Sequence, residues 1–156
     1  MNGSSINASL STIKISEIYS NNYSIAIGIN LPSDGNNYNM VLNETVLSNL
    51  YCSNLIFNSF NGSIFITGIT QSTNMNGVSS GKISFITSQN NGSYQYITID
   101  DNPSNTNGIE FISYNGIYVN KNITNENGTI LFSFFNNNMY ISSSFITLFI
   151  IIIKYN

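Results

Sequence analysis

Leu55-Ile56-Phe57-Asn58-Ser59-Phe60-Asn61-Gly62-Ser63-Ile64-Phe65-Ile66-Thr67 is the stretch that decides the fold. Two β-prone runs flank a central Asn-Gly pair, and within them apolar residues recur at alternate positions, the period of a strand with one face in a core. Asn followed by Gly best meets the positive φ that a type I′ hairpin turn needs at both central residues. The pattern predicts that Leu55–Phe60 returns as Ser63–Thr70 in a β-hairpin.

The same device recurs along the chain. Asn91-Gly92 joins Ile83–Gln89 to Tyr94–Asp100, Asn115-Gly116 joins Ile109–Tyr114 to Ile117–Val119, and Asn127-Gly128 leads into Thr129–Phe135. Tyr23, Ile25, Ile27 and Ile29 alternate with Ser24, Ala26 and Gly28, another half-buried strand. Ala stands only at Ala8 and Ala26, while β-branched and aromatic residues fill the apolar runs, which opposes helix. Only Val41 to Tyr51 tolerates a short helix. The Asn-Gly segments resemble one another, yet no fixed repeat period is found, and a fixed period is what a solenoid needs. The expected fold is all-β, an antiparallel β-sandwich or meander built from Asn-Gly hairpins. A right-handed parallel β-helix is the alternative.

Three segments are expected: a disordered stretch over 1–12, a β-rich domain over 13–138, and an apolar C-terminal segment over 139–156. The last contains Phe145 to Ile153, nine residues that as a helix would span about 14 Å, short of the roughly 30 Å hydrocarbon core. It is expected to be a final strand or a partial membrane anchor.

The chain has 29 Asn, 26 Ile and 35 Ser plus Thr, but only 7% charged residues against roughly 25% in an average domain. Four Lys and seven acids leave no basic surface to neutralise phosphates, so nucleic-acid binding is not expected. The Asn and Ile excess follows from AT-rich codons. The scarcity of Lys, whose codons are equally AT-rich, points instead to a neutral, amide- and hydroxyl-coated surface. Cys52 is the single cysteine and there is no His, which removes a disulfide framework and any base to activate the thiol.

Catalytic chemistry finds little to use. Glu17, Asp34, Glu44, Glu110 and Glu126 stand apart in the sequence, and the adjacent Asp100 and Asp101 point to opposite faces of a strand end. No catalytic residue, metal ligand set or cofactor is expected. The loop from Asp100 to Asn105 reads as a turn around Pro103 rather than a calcium site. Exposed tyrosines supply the candidate binding residues: Tyr94 and Tyr96 on one strand face, with Tyr114 and Tyr118 flanking the next hairpin. Candidate glycosylation sites of the N-x-Ser/Thr type are Asn7, Asn22, Asn43, Asn61, Asn91, Asn122 and Asn127, with Asn2 near the start. Chance alone gives about six or seven such sites in this composition.

The Asn-, Ser-, Thr- and Ile-rich, Lys-poor, hairpin-dense texture of Ile13 to Phe135 resembles the β-rich ectodomains of cell-surface adhesion glycoproteins from AT-rich genomes. The resemblance implies an extracellular or cell-surface location and a protein or glycan partner, with membrane attachment through the C-terminal segment. The expected function is non-enzymatic adhesion or recognition. A glycan-acting enzyme of β-helix type and a self-assembling or vestigial Asn-rich product are the alternatives.

Overall fold

The computed structural model describes residues 17–21, 24–31, 38, 40–52, 54–70, 75–77, 83–88, 95–100, 102, 104–125, 128–135, 139–141 and 151–155. The segment 1–12 lies outside them. In chain order the elements are β1 (Glu17–Asn21), β2 (Ile25–Gly28), β3 (Met40–Asn43), α1 (Glu44–Leu47), β4 (Leu55–Phe60), β5 (Ile64–Thr67) and β6 (Ile83–Ser88). There follow β7 (Tyr96–Ile99), β8 (Ser104–Thr106), β9 (Ile109–Ser113), β10 (Gly116–Val119), β11 (Ile123–Asn125), β12 (Ile130–Phe134), β13 (Met139–Ile141) and β14 (Ile151–Tyr155).

These strands form a first sheet ordered β1-β4-β6-β9-β12-β14, a second ordered β13-β10-β7-β5-β2-β3, and a narrow third sheet of β11 and β8. Every strand pairing among the described residues is parallel. The expected antiparallel sandwich or meander is therefore wrong. Apart from β2 and β3, which pair within the second sheet, successive strands enter different sheets, and each sheet is built from strands a whole turn of chain apart. That winding is the arrangement of a parallel β-helix, the alternative expected above.

The Asn-Gly pairs explain the error. Asn61 does take a left-handed backbone, φ 57°, but Gly62 is not among the residues with positive φ, so a type I′ turn is not formed. Asn61-Gly62 instead turns the chain from β4 in the first sheet to β5 in the second, and Asn115-Gly116 does the same between β9 and β10. The dipeptides are corners, not hairpins. Asn91-Gly92 and Asn127 lie outside the described residues.

Inside the coil the registers stack like on like. Leu55, Ile83, Ile109, Ile130 and Ile151 are successive partners, so the rungs are 28, 26, 21 and 21 residues long. The next inward column carries Phe57, Phe85, Phe111 and Phe132, whose rings stack with centroids 5.2, 5.6 and 5.2 Å apart. All four are fully buried. Phe85 and Phe111 thus meet a ring in the rung on either side, and Phe57 and Phe132 one ring each, which adds aromatic contacts to the area they bury. The second sheet faces them with Ile25, Ile64, Ile97 and Ile117 in one column and Ile27, Ile66, Ile99 and Val119 in the other, again fully buried.

One end of the coil is closed. β3 lies beyond β2 in the second sheet, with Met40 and Leu42 fully buried, and α1 follows with Val46 and Leu47 buried. Asn43 starts this helix because its Oδ1 accepts a hydrogen bond from the Val46 amide at 3.1 Å. Close approach between rungs depends on glycine at particular points. A Cβ on Gly28, whose φ is 128°, would stand 1.6 Å from the Thr67 carbonyl oxygen, and one on Gly128 would stand 2.0 Å from that of Asn107. At the other end, residues 151–155 form β14 beside β12, which places the tail of the 139–156 segment in the first sheet. Residues 142–150 lie outside the described residues. No helix among the described residues is long and apolar enough to cross a membrane.

Candidate aromatic recognition face

Because strand residues alternate in and out, the second sheet's outer face is set by the residues between its buried isoleucines. Register carries one outward column through Val41, Ala26, Phe65, Thr98, Tyr118 and Tyr140. None of these is charged. Tyr118 and Tyr140 stack with centroids 4.7 Å apart and planes 7° apart, and Tyr96 meets Tyr118 edge-on at 5.0 Å. Beside them, at the corner, Tyr114 stacks on Phe135 at 5.9 Å, and toward the closed end Tyr38 packs against Phe65 at 5.6 Å. Tyr140 is 49% exposed and Phe135 45% exposed, while Tyr96, Tyr114 and Tyr118, expected to be exposed, are half-buried.

The spacing has a physical origin. Parallel strands lie about 4.8 Å apart, so aromatic side chains at one register position on neighbouring strands are set at stacking distance. Crowding then acts on Tyr118. Its pKa is raised above the ordinary tyrosine value by desolvation first, then by the potential of Tyr96 and Tyr140 and a hydrogen bond with Tyr96.

Of the tyrosines expected to bind, Tyr96 and Tyr118 are brought together directly. Tyr114 joins the neighbouring pair with Phe135, and Tyr94 lies outside the described residues. Tyr140, Phe135 and Phe65 escaped sequence reasoning, since only the parallel register aligns residues so distant in sequence.

Among the described residues the acids form no centre. Asp100 accepts a hydrogen bond from Asn120 Nδ2 at 2.9 Å at the end of the second sheet, while Glu110 accepts one from Ser84 Oγ at 2.9 Å on the first sheet's outer face. Among the described residues no group of three or more His, Cys, Asp or Glu side chains could hold a metal ion. In the loop after Asp100, Asn102 donates to Thr67 Oγ1 at 2.9 Å and so ties one rung to another. Cys52 is half-buried, its thiol pKa pushed up by burial, and its amide donates to the Gly77 carbonyl. Of the candidate glycosylation sites, Asn43 spends its side-chain oxygen on the helix cap. Asn61 sits at a corner with its amide bonded to the Ser88 carbonyl. The Asn122 carbonyl accepts from the Ser104 amide. Asn7, Asn22, Asn91 and Asn127 lie outside the described residues.

No protein-family model, curated protein or solved structure matches the chain.

Proposed function

We propose that the protein is a non-enzymatic recognition module of a cell surface or the extracellular space, which docks a protein partner on the aromatic face of its second sheet. The ladder of Tyr96, Tyr118 and the exposed Tyr140 carries this reading. Tyrosine suits such a role because its apolar ring buries area while its hydroxyl keeps a hydrogen bond, and it is enriched where interfaces concentrate their energy. The geometry favours protein over glycan. A sugar stacks on an open ring face, and Tyr118 gives one of its faces to Tyr140. The neutral, amide-rich surface supports the extracellular assignment.

The test is binding of labelled protein to cells of its own source, before and after protease treatment of their surface, alongside a glycan array. Expected are loss of binding on protease treatment, a silent array, and at least about tenfold weaker binding for Tyr118→Ser combined with Tyr140→Ser. Binding unaffected by the two substitutions, or confined to glycans, would contradict the proposal.

A further inference from the structure

We infer that the corner of the coil between the first and second sheets holds internal water bound to Gln95. Gln95 immediately precedes β7 and is only 1% exposed, yet neither its amide oxygen nor its amide nitrogen has a hydrogen-bond partner among the described residues. A primary amide offers two donors and an acceptor with two lone pairs. Burying all of that unpaired is costly enough that native structures nearly always answer it, with protein groups or with ordered water.

The surroundings suit water. Ser59, Thr87 and Ser113 are successive inward residues near the ends of β4, β6 and β9, at the same corner, and are essentially fully buried. Thr87 and Ser113 share a hydrogen bond of 3.0 Å, and Ser113 Oγ also reaches the Gly116 carbonyl at 2.7 Å. Register places Tyr96 opposite Gly116, so Gln95 aligns with Asn115, itself only 8% exposed. In the following rung Phe134 takes the place of Ser113 and ends the hydroxyl column. The interior is therefore polar at this corner over three rungs. Water both donates and accepts, and it is small enough for a site this enclosed, provided two to four polar partners hold it. Among the described residues the site contains no charged side chain, and the amide and hydroxyl donors suit a neutral occupant better than a cation.

Two measurements decide the matter on the whole chain. Oxygen-17 magnetic relaxation dispersion counts long-lived internal waters; wild type is expected to hold at least one that Gln95→Met lacks. The same variant should melt no higher than wild type, because its amide was already satisfied. An equal water count in both proteins would overturn the inference. So would a Tm raised by about 2–4 °C or more, the gain expected from replacing an unpartnered buried amide by an apolar side chain of similar shape. Should Gln95→Met not fold, a high-resolution crystal structure of wild type serves instead. Density about 2.7–3.2 Å from the amide atoms supports the site. A dry corner, or an amide turned onto protein atoms, refutes it.

Discussion

Gly28 shows how much of this coil rests on single residues. Its φ of 128° is closed to most side chains, and an added Cβ would meet the Thr67 carbonyl oxygen of the neighbouring rung at 1.6 Å. Gly28→Ala should therefore cost about 2 kcal/mol or more, from backbone strain and displacement of β5 together, measured by urea unfolding. Tyr118 gives a pH prediction at the same scale. Its raised pKa means that the folded chain holds the phenolic proton when the unfolded chain, titrating near 10, has begun to lose it. The associated stability is complete below about pH 10 and disappears as pH rises through the folded value. Tyrosinate absorbance should show a late-titrating component that Tyr118→Phe removes. An unchanged titration in that variant would mean that Tyr118 is not crowded by Tyr96 and Tyr140.

At the scale of the element, the stacked phenylalanines carry the clearest consequence. Phe85 is sandwiched between Phe57 and Phe111, so Phe85→Ala opens a cavity flanked by two rings. The expected loss is about 3–5 kcal/mol, read from chemical or thermal denaturation. Losing the Asn43 cap should cost only about 1 kcal/mol, because Asn43→Ala frees one amide at the start of a four-residue helix. Strand positions were largely legible in the sequence. The run Ile83–Gln89 contains β6, Ile109–Tyr114 contains β9, Thr129–Phe135 contains β12, and the one stretch tolerant of helix, Val41 to Tyr51, contains α1. Alternation and β-branching act locally, so they show where the chain is read. β8 was missed, since Ser104–Thr106 is short and polar and begins in the loop read as a turn around Pro103.

Pairing belongs to the whole molecule, and there the sequence misled. Asn-Gly favours a left-handed bend, but whether the chain then doubles back or turns a corner depends on which surface the next strand covers. Ile64 and Ile66 bury opposite the first sheet's phenylalanines rather than beside Leu55–Phe60. The repeat stayed hidden because the rungs vary from 28 to 21 residues, the difference falling in the corners and the third face. Half of the candidate site suffered similarly: Tyr96 and Tyr118 were visible as candidate binding aromatics, but the stacking of Tyr118 on Tyr140 exists only once strands a full rung apart are paired. The coil is therefore the central claim, and nuclear Overhauser spectroscopy of the labelled protein tests it most directly. Ring-to-ring contacts linking Phe57 to Phe85, Phe85 to Phe111 and Phe111 to Phe132 are predicted, with no Hα–Hα contacts between 55–60 and 63–67. Cross-strand Hα–Hα contacts spanning Asn61-Gly62, the signature of an antiparallel hairpin, would contradict it.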